Sequence, residues 1–303
     1  EEPLLGPLRE FFVRPRKDFR ARILRFAWEL GGGSGEPPQN GLLLIEALHS
    51  GSLIVDDIQD RSTERRGGPA LHLVIGEPLA INAGNWLYFH AAALAGKLGL
   101  SPRAELELRR AINDTVLRCH LGQALDLGVR IGSLPQRRVA PMVRTATALK
   151  TGSLLELAAR SGALLANADV SAVETLATFG NELGVALQML DDVSGIYNAA
   201  RFHKGHEDLI QGRPTWPWAW LAEHVDELGY TRIQHIARDV EAGVVRPETL
   251  AEHLRERLGD EPLTRAREHL SRAIDGLRSR FTQTPAFLEL EAHVLALEAS
   301  YVG

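Results

Sequence analysis

The sequence lacks the features that several protein classes require. Its 303 residues include a single cysteine, Cys119, which excludes an internal disulfide framework. It has no excess of positive charge, because 34 Lys and Arg stand against 39 Asp and Glu, and this balance argues against obligate nucleic-acid binding. It has no run approaching the roughly 18 apolar residues of a membrane-spanning helix, and no secretory signal pattern. These absences predict a soluble, cytoplasmic, globular protein without a membrane span.

Strand signals are also scarce, whereas long stretches rich in Ala, Leu, Glu and Arg dominate the sequence. Helices of this length must each bury an apolar face, so they are expected to pack as a bundle. No linker separates compositionally different halves, so we predict one all-α domain over residues 1–303. Ser101 is expected to cap a helix that starts at Pro102. The predicted helices cover residues 42–61, 80–98, 102–130, 135–166, 170–200, 213–227, 247–259, 262–281 and 285–301.

An acidic cluster lies at the end of the first predicted helix, residues 42–61. Asp56 and Asp60 lie one turn apart, on the face that also carries His49, and Asp57 is adjacent. Like charges at this spacing destabilise a bare helix by roughly 0.2–0.5 kcal/mol, and apolar or small residues precede them. Mg²⁺ would resolve this conflict, since it prefers a few carboxylates together with phosphate oxygens and water. The alternative interpretation is an exposed acidic helix end.

Basic residues follow this cluster at once. Arg65 and Arg66 directly precede two glycines, Gly67 and Gly68. Carboxylates followed by adjacent arginines offer both a metal ion and guanidinium groups to one ligand, and a diphosphate suits both. The alternative is that the arginines form weak surface ion pairs with neighbouring acids.

A second acidic pair, Asp191 and Asp192, also follows an apolar helical run. Two acidic helix faces opposed across a bundle could hold more than one metal ion over a diphosphate. The alternative is a solvated helix end. Lys204 and Arg213 lie in a glycine-punctuated segment that could close over phosphate, and Lys150 lies in an otherwise apolar helix.

Six segments in order carry a family resemblance. They are a Lys-x-x-Arg segment, a Leu-His-x-x-Ser-Leu-x-x-Asp-Asp-x-x-Asp helix, Arg-Arg-Gly, Lys-Thr-Gly, Gln-x-x-Asp-Asp, and Lys-Gly-x-Glu-Asp-Leu-x-x-Gly. From about residue 8 to 221, their order and spacing strongly resemble the trans-isoprenyl diphosphate synthases, most of all the short-chain geranylgeranyl diphosphate synthases.

The resemblance implies a single-domain all-α bundle around a deep central cavity, usually a homodimer. It implies a Mg²⁺-dependent prenyltransferase that condenses isopentenyl diphosphate head-to-tail with dimethylallyl, geranyl or farnesyl diphosphate to a C15–C20 product. Three Mg²⁺ ions and cationic side chains would stabilise the departing diphosphate. No nucleic-acid partner is expected.

The resemblance also implies a role for each matching residue. The metal-binding carboxylates would be those of Asp56, Asp57, Asp60, Asp191 and Asp192. The allylic diphosphate would contact Arg65, Lys150, Lys204 and Gln188. The isopentenyl diphosphate would contact Lys17, Arg20, His49 and Arg66. Thr151 matches a residue near the reacting carbons. The residues expected to act most directly in catalysis are Asp56, Asp60, Asp191, Lys150, Thr151 and Lys204.

Two departures from the family pattern support a rival interpretation. Gly195 stands where the family usually has Asp or Asn, and Trp216, Trp218 and Trp220 stand where smaller residues are usual. The tryptophans would be packing residues or a π surface facing a carbocation. The fold could then serve a terpene cyclase or diphosphate lyase, although Ala199 breaks the second metal motif of the cyclases. A third interpretation is an inactive regulatory subunit of a heterodimer, which would be expected to lose the first acidic cluster.

Two further expectations concern single positions. If the missing ligand is a handicap, Gly195→Asp should raise prenyl transfer or leave it unchanged. Gly51 and Ser52 precede the first acidic cluster by one turn, and the bulky segment 85–89 follows on the next helix. The small residues would leave the cavity open near the acidic cluster, and the bulky segment would close it further along and so limit the length of the prenyl chain. This order predicts C20 as the main product.

Overall fold

The fold is all-α, as predicted from the sequence. The structure is a computed structural model that describes residues 2–15, 18–282 and 284–302. In these ranges, two short strands, β1 (Glu64–Arg65) and β2 (Gly68–Pro69), form an antiparallel pair. No helix in the same ranges is long and apolar enough to cross a membrane. The α-helices are α1 (Glu2–Val13), α2 (Phe19–Leu30), α3 (Gln39–Gln59), α4 (Leu71–Ile75), α5 (Glu77–Ala95), α6 (Pro102–Gly128), α7 (Gln136–Thr147), α8 (Ser153–Leu165), α9 (Val170–Tyr197), α10 (Phe202–Ile210), α11 (Trp216–His224), α12 (Glu227–Glu241), α13 (Pro247–Leu258), α14 (Glu261–Phe281) and α15 (Pro285–Val302).

Helix ends follow local sequence signals at several places. Ser101 Oγ accepts a hydrogen bond from the Ala104 backbone N–H at 3.3 Å, so the predicted cap of α6 is confirmed. The sequence prediction missed α1, α2, α4, α10 and α12. The sequence did contain a sign of the start of α12, because Asp226 is a typical N-cap residue. Its carboxylate accepts a hydrogen bond from the Gly229 N–H at 2.8 Å.

The chain forms two compact units. Unit 1 comprises Glu1–Val116 and Leu157–Ala177, and unit 2 comprises Leu117–Glu156 and Thr178–Gly303. The predicted single domain over the whole chain stays a prediction.

In unit 1, α3 and α5 pack closely because glycines face each other. A Cβ added to Gly51 would lie 2.9 Å from the Gly84 carbonyl oxygen and 3.2 Å from Tyr88 Cε1. A Cβ added to Gly84 would lie 2.8 Å from Val55 Cγ2. The space left by Gly51 is therefore filled by α5, which corrects the expectation that this glycine leaves a cavity open.

In unit 2, α11 is buried against α7 and α13. Its three tryptophans are 0–2% exposed, and the Trp216 and Trp220 rings lie 5.6 Å apart. Trp216 Nε1 donates to Thr147 Oγ1 at 3.1 Å, and the Trp218 ring meets Tyr230 edge to face. These contacts support the packing interpretation of Trp216, Trp218 and Trp220.

Also in unit 2, α10 meets α9 backbone to backbone. A Cβ on Gly195 would lie 2.9 Å from Gly205 Cα, and a Cβ on Gly205 would lie 2.0 Å from the Gly195 carbonyl oxygen. Real Cβ atoms do not approach other atoms so closely, so both positions require glycine. An aspartate at position 195 would push α10 away, and we now expect Gly195→Asp to lower activity rather than to preserve it.

Candidate active site

A two-residue turn brings the first arginines to the end of α3. Arg66 and Gly67 have φ angles of 58° and 71°, and they connect β1 to β2. Positive φ at both central residues is the conformation of a tight hairpin turn. Arg65 and Arg66 are thereby turned back toward α3, where their side chains find separate carboxylates.

Asp57 is the buried member of the first acidic cluster. Its side chain is 0% exposed, and its Oδ1 accepts hydrogen bonds from Arg65, one of them from Nε at 2.8 Å. Its Oδ2 is buried without a hydrogen-bond partner among the described residues. Burial raises the pKa of Asp57, while the Arg65 guanidinium opposes the rise. Asp57 therefore holds Arg65 in place, whereas Asp56 and Asp60 are only half-buried at the end of α3.

Arg66 is held by a glutamate to which the sequence analysis gave no role. Arg66 Nη2 donates to Glu46 Oε1 at 2.7 Å and to Ser50 Oγ at 3.3 Å. The guanidinium also lies 4.9 Å from the centroid of the Phe11 ring. Only 7% of the Arg66 side chain is exposed, yet its Nη1 has no hydrogen-bond partner in the described part of the chain. A buried guanidinium with an unused donor is suited to an anionic ligand.

Arg20 and His49 form the next pair of this cluster. Arg20 Nη1 lies 3.0 Å from His49 Nε2. Because a guanidinium can only donate, His49 Nε2 accepts and the ring proton is on Nδ1. Burial foremost, and then the charges of Arg20, Arg66 and Arg65, hold the pKa of His49 well below its ordinary value. His49 is thus a neutral residue among three cations. Lys17, the fourth residue predicted for this group, lies outside the described residues.

In unit 2, Asp191 is paired with two cations. Lys204 donates to Asp191 Oδ2, and Arg201 donates to Asp191 Oδ1. Burial lowers the pKa of Lys204, but the charge of Asp191, the hydrogen bond to it and the charge of Asp208 together outweigh that effect, so its pKa is raised. The structure brings together the predicted Asp191 and Lys204, and it adds Arg201, which sequence reasoning missed.

Asp192 has a different environment from its neighbour. Its Oδ1 accepts from Gln188 Nε2 at 2.8 Å, and its Oδ2 accepts from the Trp216 backbone N–H at 2.9 Å. Burial raises its pKa to about 8. Thr151 Oγ1 in turn donates to Gln188 Oε1 at 3.0 Å. Three residues predicted for the site, Thr151, Gln188 and Asp192, therefore form one hydrogen-bonded chain that ends at the start of α11.

Lys150 and Thr151 are placed by a π-helical turn over Ala148–Gly152, which interrupts the helix predicted for 135–166. Lys150 Nζ donates to Asp126 Oδ2 at 2.7 Å, and Arg213 Nη1 lies 3.7 Å from the same oxygen. Asp126 was missed in the sequence because no other acid of α6 lies three or four residues from it.

The carboxylates fit Mg²⁺ as a partner of a diphosphate. Among the described residues, no group of three or more His, Cys, Asp and Glu side chains forms a closed metal cage. Mg²⁺ rarely uses such a cage, since it binds one or two carboxylates and completes its shell with waters and substrate phosphates. Asp56 and Asp60 in unit 1 and Asp191 in unit 2 offer carboxylates of this kind. The charges of Asp56 and Asp60 act on Arg65, and Asp191 is paired with Arg201 and Lys204.

Comparison with known proteins gives consistent matches. Residues 1–246 match the polyprenyl synthetase family. A geranylgeranyl pyrophosphate synthase of Eremothecium gossypii is 32% identical over 223 residues, which are 72% of this chain and 68% of that protein. A geranylgeranyl diphosphate synthase of Sulfolobus acidocaldarius is 32% identical over 189 residues, which are 61% of this chain and 56% of that protein.

A solved structure extends the likeness to nearly the whole chain. The geranylgeranyl pyrophosphate synthetase of Pyrococcus horikoshii superposes with a TM-score of 0.80 at 24% identity, over 98% of this chain and 90% of that one. This likeness confirms the all-α fold predicted from the sequence.

Proposed function

This chain belongs to the polyprenyl synthetase family and is a trans-prenyltransferase, and we propose that it condenses isopentenyl diphosphate head-to-tail with dimethylallyl, geranyl or farnesyl diphosphate. The observation that carries the proposal is the cluster in unit 1, where Arg20, neutral His49 and buried Arg66 accompany the carboxylates at the end of α3. A cyclase has no second diphosphate to bind and needs no such cluster. The comparisons give the cyclase alternative no support.

Ionisation of the allylic substrate is the first step of the proposed reaction. The bond between the allylic carbon and the diphosphate oxygen breaks, and the diphosphate leaves with both bonding electrons. Asp56, Asp60 and Asp191 are proposed to hold Mg²⁺, three ions in all, which would supply positive charge to the departing diphosphate. Asp57 and Asp192 were also predicted as ligands, but their carboxylates are bonded to Arg65 and to Gln188 and Trp216, respectively. Arg65 in unit 1, and Lys150 and Lys204 in unit 2, are each proposed to contribute fixed cationic charge that stabilises a diphosphate.

Condensation and proton loss complete the reaction. The double bond of isopentenyl diphosphate forms the new carbon–carbon bond with the allylic carbocation. A proton then leaves the adjacent carbon and passes to the departing diphosphate. Lys17, Arg20, His49 and Arg66 are proposed to hold the isopentenyl diphosphate, with Thr151 beside the reacting carbons and Gln188 and Asp192 positioning Thr151.

A homodimer is also part of this proposal. Ile81 and Phe89 on α5 and Leu73 and Val74 on α4 are exposed large apolar side chains, and Phe89 is 76% exposed. Apolar side chains grouped on neighbouring helices are suited to burial against a second copy. A cytoplasmic location stays a prediction.

Product analysis tests the function directly. The purified protein is incubated with Mg²⁺ and farnesyl diphosphate, with and without isopentenyl diphosphate. We expect a longer prenyl diphosphate only when isopentenyl diphosphate is present. Hydrocarbon or alcohol formed in its absence would instead establish a cyclase or lyase.

The product length depends on which residues of α5 face α3. Leu87 and Tyr88 lie against Gly51, whereas Phe89 points outward and Trp86 stacks on His90 at 4.5 Å. The residues of segment 85–89 that could limit the chain length are therefore Leu87 and Tyr88. C20 was predicted from an open space at Gly51, which α5 fills, so C20 as the main product stays a prediction that the chain-length measurement tests.

Tyr88→Ala is expected to lengthen the product beyond C20, because it removes the bulky ring beside Gly51. Leu288→Ala is the control, since it removes an exposed apolar side chain of α15, and its product distribution should equal that of the wild type. Chain lengths are measured after dephosphorylation by chromatography with mass spectrometry. Unchanged products in Tyr88→Ala would show that the chain grows elsewhere.

A further inference from the structure

Arg201 is a cation of unit 2 to which neither the sequence motifs nor the proposed mechanism gives a role. It ends a 3₁₀ turn, Ala199–Arg201, that joins α9 to α10. The Asn198 side chain fixes this turn by accepting a hydrogen bond from the Ala200 N–H at 3.0 Å. The Arg201 guanidinium reaches back along α9 to Asp191 Oδ1, and 24% of its side chain is exposed.

An aromatic ring from the last turn of α15 covers the same guanidinium. The Arg201 Cζ atom lies 4.6 Å from the centroid of the Tyr301 ring, which is a cation–π distance. Asn198 Nδ2 donates to the Tyr301 carbonyl oxygen at 3.5 Å, so the turn and the end of α15 are joined twice. Tyr301 therefore keeps Arg201 beside Asp191.

Arg201 and Lys204 have equivalent positions relative to Asp191. Each takes one oxygen of the same carboxylate, and Lys204 is also close to the negative charge of Asp208. Arg201 bonds Asp191 through Nη2, and a guanidinium carries five N–H donors, so the group can take up phosphate oxygens at the same time. A guanidinium presents two parallel donors that match phosphate oxygens, which an ammonium group cannot do.

We propose that Arg201 is a further diphosphate-binding residue and that Tyr301 is its positioning residue. The inference rests on the proposed function, since it assumes that a diphosphate binds beside Asp191. It assigns to the end of α15 a part in substrate binding, although no motif in that helix pointed to one.

Calorimetric titration of the full chain with inorganic pyrophosphate in the presence of Mg²⁺ tests this inference without turnover. Arg201→Gln is expected to weaken binding by about 10-fold or more, which is typical for loss of a charge-assisted hydrogen bond. Tyr301→Leu should weaken it by about 2- to 5-fold through loss of the cation–π contact, and Tyr301→Phe should leave it unchanged. Arg278→Gln is the matched control, because Arg278 pairs with Asp275 and Glu291 on α14 and α15.

Steady-state kinetics provide a second readout. In Arg201→Gln, the KM for the allylic diphosphate should rise, while the KM for isopentenyl diphosphate should stay within twofold of the wild type. Thermal unfolding of each variant checks the fold. If Arg201→Gln is unfolded, the pyrophosphate affinities of Arg201→Lys and Tyr301→Leu decide whether Arg201 binds the diphosphate.

Pyrophosphate binding as tight as that of the wild type, or tighter, in Arg201→Gln would overturn the inference, because Arg201 would then only neutralise Asp191. Failure of the proposed function would give a different result from failure of this inference. In that case the wild-type protein itself would bind no pyrophosphate with Mg²⁺ and would not elongate farnesyl diphosphate.

Discussion

Asp191→Asn is expected to reduce Mg²⁺-dependent prenyl transfer by about 10³-fold or more, since removing electrostatic stabilisation of a leaving group has effects of this size. The substitution keeps the shape of the side chain but removes its negative charge. Without that charge, Lys204 and Arg201 lose their common partner, and a divalent cation loses its carboxylate in unit 2. The rate is measured with farnesyl and isopentenyl diphosphates over a range of Mg²⁺ concentrations.

Asp56→Asn tests the carboxylates of unit 1 in the same assay, and its activity should fall to a similar extent. Asp275→Asn is the control, because it makes the same chemical change on an exposed side chain of α14 and should leave the rate unchanged. Near-normal turnover in either Asp56→Asn or Asp191→Asn would exclude a mechanism that uses metal ions at both acidic clusters.

Gly205→Ala is expected to destabilise the protein by about 1–3 kcal/mol, which is the usual cost of forcing an extra group into a packed interior. The added Cβ would lie 2.0 Å from the Gly195 carbonyl oxygen, and backbone atoms cannot rotate away as a side chain would. α10 must therefore shift, and Lys204, the preceding residue, shifts with it away from Asp191. Both the melting temperature and the rate of prenyl transfer should fall.

Gly276→Ala is the matched control for this prediction. Gly276 also lies within a helix, α14, but nothing is within 4 Å of its added Cβ. Alanine is a better helix former than glycine by about 1 kcal/mol, so this variant should be slightly stabilised. Urea unfolding of both variants gives the free energies. Equal stability changes in the two would show that α10 does not depend on the close contact.

The spacing of residues predicted some parts of the site well. The two acidic clusters could be located because helical periodicity places Asp56 and Asp60 one turn apart. The division of roles inside each acidic pair could not be predicted from spacing. Asp57 differs from Asp56 because a hairpin turn with two positive φ angles returns Arg65 to it. Such a turn depends on backbone conformation. A non-glycine residue at positive φ, here Arg66, is uncommon, so the sequence did not indicate the turn.

Long-range contacts explain most of what the sequence analysis missed. Asp192 accepts a hydrogen bond from Trp216, 24 residues later, and Lys150 meets Asp126, 24 residues earlier. Glu46 and Arg201 acquire their partners in the same way, by packing between elements. The fold class needed only composition and helix propensity, whereas these pairs needed the positions of specific helices.

The hydrogen-bonded chain from Thr151 to Trp216 takes its direction from the charge of Asp192. Thr151 donates its hydroxyl proton to Gln188 Oε1, and the Gln188 amide donates to Asp192 Oδ1. Burial raises the pKa of Asp192 to about 8, so below that pH its carboxyl group can carry a proton and the Gln188 amide can also adopt the reverse orientation. With Asp192 ionised, the lone pairs of the Thr151 oxygen lie on the side away from Gln188. In the proposed reaction, this state presents the negative end of the Thr151 dipole to the allylic cation, whereas protonation of Asp192 releases that orientation.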